Sequence, residues 1–411
     1  MKLKNTKLHI LQKEKNLEKV SNAGISLHCH TLFSKEILDF VPYYAERIPI
    51  VKNVWQKERD KYFEKYGREI DFEKGFWLPP MSEKEVYSAE KAQIERLGLN
   101  AIVSITDHDA IEGNLRICQE TPNELAPISL EWTIPYQNGF FHIGVHNLPK
   151  DQAAEISQQI LAYTFSKDKV PNNERLHELF AMLNEMPEVL IIFNHPLWDI
   201  EMAGAENHLI LLKNFLAEHG KWIHALEVNG FRSWSENKAV IELAESLDLP
   251  ICTGGDRHGC QANTVLNLSK AKTFAEFADE VRKDKHSEIL ILPEYKQPLR
   301  SRQLQSFAEI LAYHKNFPEG RKRWFDRVYF DIDGNGMRSL SEYGWKYGGP
   351  FWVRWIISTL SFFGNPRLRP IYQMFSKSED AVPESFGDEQ NNLKNQLWIS
   401  KKEKLLTRHL S

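Results

Sequence analysis

Short apolar segments alternate with amphipathic helical segments through most of this 411-residue chain, and this alternation limits the possible folds more than any other feature. Short apolar runs are typical of strands buried on both faces, and helices between them favour parallel βα units. The predicted strands are Ile25–Thr31, Asn100–Thr106, Pro127–Leu130, Phe140–Val145, Val189–Phe193, Ile223–Val228, Pro250–Thr253 and Glu288–Leu292. The sequence therefore predicts an α/β barrel.

Metal-binding residue types recur where these apolar runs stop. In an extended strand the side chains alternate between faces, so His28 and His30 are expected to share one face while Cys29 points to the other. One such pair can arise by chance, but later runs also end in ligand-type residues. The set is His28, His30, His108, Glu131, His142, His195, Asp256 and His258. Because α/β barrels place their chemistry at the carboxyl ends of their strands, we expect a metal centre there.

Several neighbouring residues have competing interpretations. Asp107 and Asp109 are expected to cap or support the ligands. His146 lies on the same predicted strand face as His142 and competes with it as a ligand. Glu227 fits either a pocket residue or an internal salt-bridge partner.

The ordered motifs resemble the PHP (polymerase and histidinol phosphatase) superfamily over roughly residues 24–295. They are His28-x-His30, Thr106-Asp107-His108, Glu131, His142, Asn194-His195-Pro196 and Gly255-Asp256-x-His258. The resemblance implies a distorted (β/α)7 TIM-like barrel that holds two or three divalent metals and hydrolyses phosphate esters.

The same resemblance implies how the ligands divide among the metals. The first metal would take His28, His30, Glu131 and Asp256. The second would take His142 and His195, with Glu131 as a bridge, and the third would take His108 and His258. The third also needs a ligand just after His30, where family members commonly have His or Asp and this chain has Lys35 and Glu36. Glu36 is the candidate, and the whole ligand set suits zinc, manganese or iron.

We expect hydrolysis of a phosphate ester, with a small phosphomonoester as the substrate. A carboxylate that bridges two cations lets them share a water and lower its pKa, which makes hydroxide available near neutral pH. The predicted catalytic residues are Glu131, Asp256 and His195. The residues expected to receive the substrate phosphate are Lys35, Arg232 and Arg257.

Two other functions stay open at this stage. A PHP-type exonuclease on DNA or RNA ends would use the basic residues Arg321, Lys322 and Arg323, although these also fit a solvated helix face. A non-catalytic, calcium-responsive metal-binding scaffold would keep the ligands without turnover.

The chain is expected to divide into three parts: an N-terminal arm at 1–23, the barrel at 24–295 and a mainly helical C-terminal region at 296–411. Residues 36–80 form an insertion rich in aromatic residues, which disordered segments lack. Because it follows the first strand, it is predicted to cover the pocket as a lid. Ser82 and Glu85 form a predicted capping box for the next helix, which is expected to end at Leu97.

A second motif near the C-terminus fits the calcium loop of an EF-hand. Its ligand positions are Asp331, Asp333, Asn335, Met337, Ser339 and Glu342, with Met337 contributing its backbone carbonyl. An entering helix is expected over Trp324–Phe330. Arg338 departs from the aliphatic residue usual at its position, and an Asp/Asn/Gly turn without an ion is the alternative.

Charge and cysteine content limit the remaining possibilities. The 52 basic and 56 acidic residues nearly balance, so no overall field favours nucleic acid or an anionic membrane. The four cysteines lack C-x-x-C spacing and the N-terminus lacks a secretory h-region, so we expect a reduced, cytoplasmic location. Phe351–Phe363 is too short to span a membrane and is interpreted as a buried helix, with a membrane-surface helix as the alternative. The sequence predicts no oligomeric state.

Overall fold

A computed structural model describes residues 3–10, 17–121, 126–166, 171–200 and 203–374. The part of the predicted C-terminal region at 375–411 lies outside these residues. The strands are β1 (Thr6–Ile10), β2 (Ala23–Ser26), β3 (Glu36–Ile37), β4 (Phe76–Trp77), β5 (Asn100–Val103), β6 (Ile128–Tyr136), β7 (Gly139–Leu148), β8 (Leu190–Phe193), β9 (Ala225–Asn229), β10 (Ile251–Gly254), β11 (Val265–Ser269), β12 (Ser287–Ile291), β13 (Val328–Phe330) and β14 (Arg338–Ser339).

The α-helices are α1 (Phe40–Arg47), α2 (Pro49–Tyr66), α3 (Glu83–Glu95), α4 (Glu112–Glu120), α5 (Ala153–Thr164), α6 (Asn173–Glu185), α7 (Ala205–His219), α8 (Trp234–Ser246), α9 (Phe274–Arg282), α10 (Leu299–Leu311), α11 (Phe351–Phe363) and α12 (Arg369–Met374). Short 3₁₀ turns lie at Leu17–Lys19, Gly220–Trp222, Pro293–Lys296, Trp324–Asp326 and Pro366–Leu368. The predicted capping box is confirmed, since the Ser82 side chain accepts from the Glu85 backbone N–H at the start of α3.

The described strands form three sheets, in the orders β1-β12-β11-β2-β5, β10-β9-β8-β7-β6 and β14-β13-β4-β3. The α/β class is therefore confirmed. Pairs such as β2/β5 and β9/β10 are parallel, as expected. However, β6 and β7 form an antiparallel hairpin, because a tight turn with Gln137 at φ 52° joins them directly.

The first two sheets are joined at two places, called seams below, and each seam is a single β-bridge. Cys29 pairs with Arg257 beyond the ends of β2 and β10, and His108 pairs with Glu131 beside β6. Within the described ranges, no continuous ladder closes these strands into a barrel. Left-handed backbone at His28 (φ 62°) lies at the first seam and interrupts the extended geometry that a ladder needs.

An apolar floor lies beneath the strand ends. Ala23, Ile25 and Leu27 pack in one cluster with buried residues of β5, β8, β9 and β10. Phe274 and Phe277 of α9 belong to the same cluster. The ligand-type residues that follow these strands therefore extend above a dry, packed base.

The N-terminal residues do not form the separate arm that was predicted at 1–23. β1 pairs in parallel with β12, from Thr6 opposite Ser287 to Ile10 opposite Ile291. Leu8 and Ile10 are buried. The sequence analysis did not predict β1, because one face of this strand is polar and its sequence is not a continuous apolar run.

The insertion and the C-terminal region share the third sheet. β3 and β4 belong to the insertion, while β13 and β14 belong to the C-terminal region. Leu38, Phe325, Phe330 and Leu340 form the buried cluster of this unit. The entering helix expected over Trp324–Phe330 is wrong, since this segment forms a 3₁₀ turn and then β13.

Helix α11 has the predicted bounds but not the predicted environment. None of its residues is buried, so the interpretation of Phe351–Phe363 as a buried helix is wrong. Over the described ranges, no helix combines the length and apolar character that crossing a membrane would require.

Candidate metal centre

Glu131 lies at the middle of a group of imidazoles. Its Oε2 atom is 3.0 Å from His28 Nε2, 3.4 Å from His30 Nε2 and 3.2 Å from His108 Nδ1. Glu131 is on β6, while the histidines follow β2 and β5. Chain segments remote in sequence thus converge on one carboxylate oxygen.

The other oxygen of Glu131 faces a second pair of histidines. Glu131 Oε1 is 3.3 Å from His142 Nδ1 and 3.2 Å from His195 Nε2. Asn194 Nδ2 donates to the same oxygen at 2.9 Å. One carboxylate therefore presents a different oxygen to each histidine set, as a bridging ligand would.

Asp256 adds a second carboxylate beside the first histidine set. Its Oδ1 atom lies 3.8 Å from His28 Nε2, 3.7 Å from His30 Nε2 and 3.6 Å from His258 Nδ1. Its Oδ2 atom faces Arg232 Nη2 at 3.1 Å. The guanidinium keeps that oxygen turned away from the histidines.

Glu36, the first residue of β3, reaches the same centre from the insertion. Its Oε1 atom is 3.2 Å from His258 Nε2, and its Oε2 atom is 3.4 Å from His108 Nε2. His30 Nδ1 lies 3.9 Å from Oε1. Glu36, which stands where family members commonly have His or Asp, thus lies close to three histidines.

These residues form four overlapping sets whose donor atoms lie within 4.8 Å of one another. The sets are His28/His30/Asp256, His28/Glu131/His195, His108/Glu131/His142 and His30/Glu36/His108/His258. Two ligands of a tetrahedral ion with bonds of about 2.0–2.2 Å lie about 3.3–3.6 Å apart. The separations given above between histidine nitrogens and carboxylate oxygens run from 3.0 to 3.9 Å and span this range, so the residues fit divalent metals.

Unsatisfied buried atoms support the same conclusion. His28 Nε2, His30 Nε2, His142 Nδ1 and Glu131 Oε2 are buried and close together, but none of them makes a hydrogen bond of good geometry to a described residue. A buried polar atom without a partner costs about 1–3 kcal/mol, so natural proteins seldom leave several together. Metal coordination would satisfy these lone pairs at once.

Other side chains fix how the imidazoles are oriented. His28 Nδ1 lies 2.5 Å from Glu227 Oε1, which leaves Nε2 to face Glu131. The backbone N–H of His195 donates to Glu227 Oε2 at 2.8 Å. Glu227 thus pairs with His28 and orients its ring. This agrees with the interpretation of Glu227 as an internal salt-bridge partner. Such partners are typical of metal-binding histidines.

Ser34 plays a comparable part for His30. Its hydroxyl lies 3.1 Å from His30 Nδ1 and donates to Glu36 Oε1 at 2.7 Å. It also accepts from the backbone N–H of His108 at 3.0 Å. Sequence reasoning missed Ser34, and its position in the loop after His30 was the only available signal.

The charges at the centre are strongly coupled. Burial alone would raise the pKa of Glu131, but the imidazoles of His28, His108 and His142 outweigh it and hold that pKa well below its usual range. Burial lowers the pKa of His108, yet Glu36 and Glu131 raise it to about 10. Burial, His258 and His108 together lower the pKa of His30. Carboxylates and imidazoles therefore lie side by side in the centre. Neighbouring imidazoles disfavour each other's protonation, so they cannot all carry a proton at once.

The neighbouring residues with competing interpretations lie outside the ring of ligands. His146 Nδ1 lies 2.8 Å from the Ser104 hydroxyl, and burial lowers its pKa to about 3. Asp107 accepts from the Thr31 backbone and hydroxyl, and Asp109 accepts from the Thr133 backbone. His142, rather than His146, therefore faces Glu131.

The predicted phosphate-binding residues lie in three different settings. Arg232 is buried at the edge of the centre, with its guanidinium 3.6 Å from the Trp198 ring centroid. Lys35 is exposed, and its Nζ lies 5.4 Å from the Phe76 ring centroid. Arg257 Nε is 3.3 Å from Glu90 Oε1 of α3. Arg257 is therefore held against α3, and its role as a phosphate ligand stays a prediction.

The predicted calcium loop connects β13 to β14 in a hairpin. Asp331 Oδ1 accepts from the Gly334 backbone at 2.7 Å and lies 3.3 Å from Arg68 Nη2, while Asp333 pairs with Arg338. Glu342 accepts from the Ser339 backbone and hydroxyl, each at 2.8 Å. In this arrangement the loop carboxylates are paired with cations and N–H groups, and they point to separate partners.

Comparisons with known proteins add little to this geometry. No family model and no curated protein matches the sequence. Among solved structures, PsfC from Pseudomonas syringae is 14% identical with a TM-score of 0.36, covering 66% of this chain and 93% of that protein. A protein from Bifidobacterium adolescentis described as a candidate metal-dependent phosphoesterase is 13% identical with a TM-score of 0.34, covering 64% and 96%.

A two-domain protein from Bacteroides vulgatus, described as containing a predicted PHP-like metal-dependent phosphoesterase, is 14% identical. Its TM-score is 0.33, and the match covers 49% of this chain and 58% of that protein. TM-scores this low carry no argument about fold or function. The class of protein therefore has to be inferred from the centre itself.

Proposed function

We propose that this protein is a metal-dependent hydrolase of the PHP type that cleaves a phosphate ester, with a small phosphomonoester as the substrate. The observation that carries the proposal is the carboxylate of Glu131, which has imidazoles around both of its oxygens. Several donor atoms of this group are buried and unpaired. Zinc, manganese and iron all suit such imidazole and carboxylate ligands.

The ligands would be His28, His30, Glu131 and Asp256 on one side and His142, His195 and Glu131 on the other. Glu36, His108 and His258 would complete a third set. Divalent metals held there supply positive charge for the phosphate oxygens and lower the pKa of a water. Because Glu131 has a strongly lowered pKa, it stays ionised and able to bridge over the whole physiological range.

Arg232 is the side chain best suited to receive the substrate phosphate. Its guanidinium is nearly buried, stacks on Trp198 and contacts Asp256 through Nη2. Its Nε atom has no hydrogen-bond partner among the described residues. This Nε atom lies 3.7 Å from Glu236 Oε1, so a carboxylate already faces this side of the guanidinium. A planar, partly desolvated guanidinium is a strong and directional phosphate ligand.

The proposal is tested by metal analysis of the purified protein together with a panel of phosphomonoesters, nucleotides and short oligonucleotides. We expect bound transition metal and hydrolysis of a phosphomonoester. His28→Ala should lower both, and His286→Ala, a change at an exposed histidine outside the centre, should lower neither. Hydrolysis that survives unchanged in His28→Ala would contradict the proposed site.

The nuclease alternative has weaker support. Arg321 pairs with Glu85, Lys322 with Glu319 and Arg323 with Asp326. These ion pairs neutralise the basic cluster that a nucleic-acid backbone would need. A nuclease would lose activity steeply as salt is added, whereas hydrolysis of a small substrate should change little.

The calcium loop stays a prediction. To bind calcium, Asp331 would have to break its ion pair with Arg68, and Asp333 its ion pair with Arg338. This cost reduces the expected affinity. Calorimetric titration with calcium tests it, with Asp331→Asn as the variant that should abolish any heat of binding. Calcium binding together with bound transition metal and no turnover would favour the scaffold alternative.

A further inference from the structure

Helix α11 presents a row of large apolar side chains to the solvent. The side chains of Phe351, Trp355 and Phe362 are 75%, 53% and 63% exposed. Their i, i+4, i+11 spacing puts them within about 40° of one another on one helix face. The opposite face packs against α10, where Gly364 at the end of α11 closely approaches the Leu304 carbonyl.

The next helix also exposes large apolar side chains. Ile371 and Met374 of α12 are 49% and 81% exposed. Arg369 at its start contacts Gln305 of α10, so α11 and α12 both lie against α10. Two consecutive helices with this many exposed large apolar side chains are typical of an interaction site.

The segment that contains these helices carries charges of one sign. From Tyr343 to Ser378 the sequence contains no Asp or Glu, although the whole chain has 56 acidic residues. The same stretch carries cations, of which Lys346, Arg354 and Arg367 are exposed. The exposed charged side chains of this segment would therefore attract an anionic surface.

We propose that α11 and α12 dock the protein on an anionic lipid membrane, with the α11 row inserted at the level of the headgroups. Phe and Trp on one face of a helix, in a segment that carries cations and no carboxylate, are the composition of interfacial helices. Trp is also favoured at that depth because its ring is amphipathic. A second copy of the chain is less suited, because two such surfaces would bring like charges together. The proposal is independent of the metal centre.

The test measures binding of the full chain to vesicles. We expect binding to phosphatidylcholine vesicles that contain phosphatidylglycerol and little binding to pure phosphatidylcholine. The triple variant Phe351→Ser/Trp355→Ser/Phe362→Ser should bind the anionic vesicles about 100-fold more weakly. Replacing Lys346, Arg354 and Arg367 by Gln should weaken binding about fivefold per cation and remove the anionic preference.

A matched control is Phe63→Ser/Tyr44→Ser, two exposed aromatic residues of the insertion, which should bind like the unchanged chain. Circular dichroism and thermal unfolding show that each variant is folded, and exposed substitutions of this kind seldom alter stability much. The proposal is overturned if the unchanged chain ignores anionic vesicles. It is equally overturned if sedimentation shows a dimer that the triple variant dissociates, since a second copy would then cover the surface.

Discussion

His28 owes its place in the centre to a backbone conformation that an extended strand does not provide. β2 ends at Ser26, and His28 has φ 62°. His195 and Asp256 also have positive φ, at 28° and 51°. Left-handed conformations cost about 1–3 kcal/mol at residues with a side chain, and they are concentrated at functional sites. The pairing of His28 with His30 was predicted from strand alternation, but the observed reason is this turn of the backbone.

The first residue-scale prediction concerns Glu227. Glu227→Gln removes the charge that holds the His28 Nδ1 proton and keeps Nε2 free for a metal. We expect metal affinity to fall about 10–100-fold, as is typical when such a partner is lost. Competition with a chelator measures the affinity, and the exposed Glu206→Gln serves as control. If the affinity is unchanged, Glu227 does not act through His28.

The second residue-scale prediction concerns Glu36, the carboxylate in the set with His30, His108 and His258. Glu36→Gln should reduce the metal content by about one ion per chain, because a neutral amide is a much weaker ligand. In the metal-free protein it should also lower the pKa of His108 below its value of about 10, since Glu36 is the leading cause that raises it.

Elemental analysis measures the first effect, and NMR titration of the imidazole measures the second. Glu64→Gln on the exposed surface of α2 is the matched control. An unchanged metal content would show that Glu36 is not a ligand.

At the scale of elements, the third sheet links the C-terminal region to the metal centre. Glu36 is the first residue of β3, β3 pairs with β4, and β4 pairs with β13. The sequence separates these strands by almost the whole length of the barrel. The insertion therefore supplies a candidate ligand, and the C-terminal hairpin supports the strand next to the one that carries it.

Gly75 provides a test of this link. A Cβ at Gly75 would lie 2.2 Å from the ring of Phe330 on β13, so Gly75→Ala forces β4 and β13 apart. Such overpacking typically costs about 1–3 kcal/mol. We expect the metal bound through Glu36 to be lost, while the metals around Glu131 stay bound.

Metal content measured on the folded variant checks this expectation. Gly220→Ala is the control, because a Cβ there meets Leu216 only at an ordinary 3.8 Å. If Gly75→Ala keeps its full metal content, the third sheet does not position Glu36.

The sequence predicted the elements whose signals are local. The apolar runs of β5, β8 and β10 and the ligand types that follow them are readable, because each depends on a few adjacent residues. β11 was missed because Asn267 interrupts its apolar pattern in order to bond the backbone at Thr253. β3 and β4 are only two residues long and exist through pairing with remote strands. Such long-range pairings and the positive φ angles leave no local pattern to read.

At the scale of the whole molecule, the metal centre is expected to hold the two main sheets together. The seams between them are single bridges at Cys29/Arg257 and His108/Glu131, next to the ligands. Ligands from β6, from β7 and from the loops after β2, β5, β8 and β10 meet in this centre. Metal bound only to the folded chain stabilises it by about 2.7 kcal/mol at a concentration of 100 times its dissociation constant.

The last prediction is that the metal-free protein loses stability as the pH rises above 6.5, whereas the metal-loaded protein does not. In the metal-free protein, carboxylates raise the pKa of His108 from 6.5 to about 10, and those of His28 and His258 are also raised. A raised pKa stabilises the folded state fully below the unfolded value. That contribution is lost as pH rises through the folded value, so metal-free stability should fall between pH 6.5 and about 10.

Metal binding needs deprotonated imidazoles, so protons compete with the metal at these sites. The free energy that metal binding adds to stability should therefore grow over the pH range in which the metal-free protein becomes less stable. Thermal unfolding measured across this window, with chelator and with saturating manganese, separates the two cases. If stability depends on pH in the same way for the two forms, the metal does not bind the imidazoles of this centre. If the difference in stability grows with pH, folding of the two sheets is linked to the ligands at their seams.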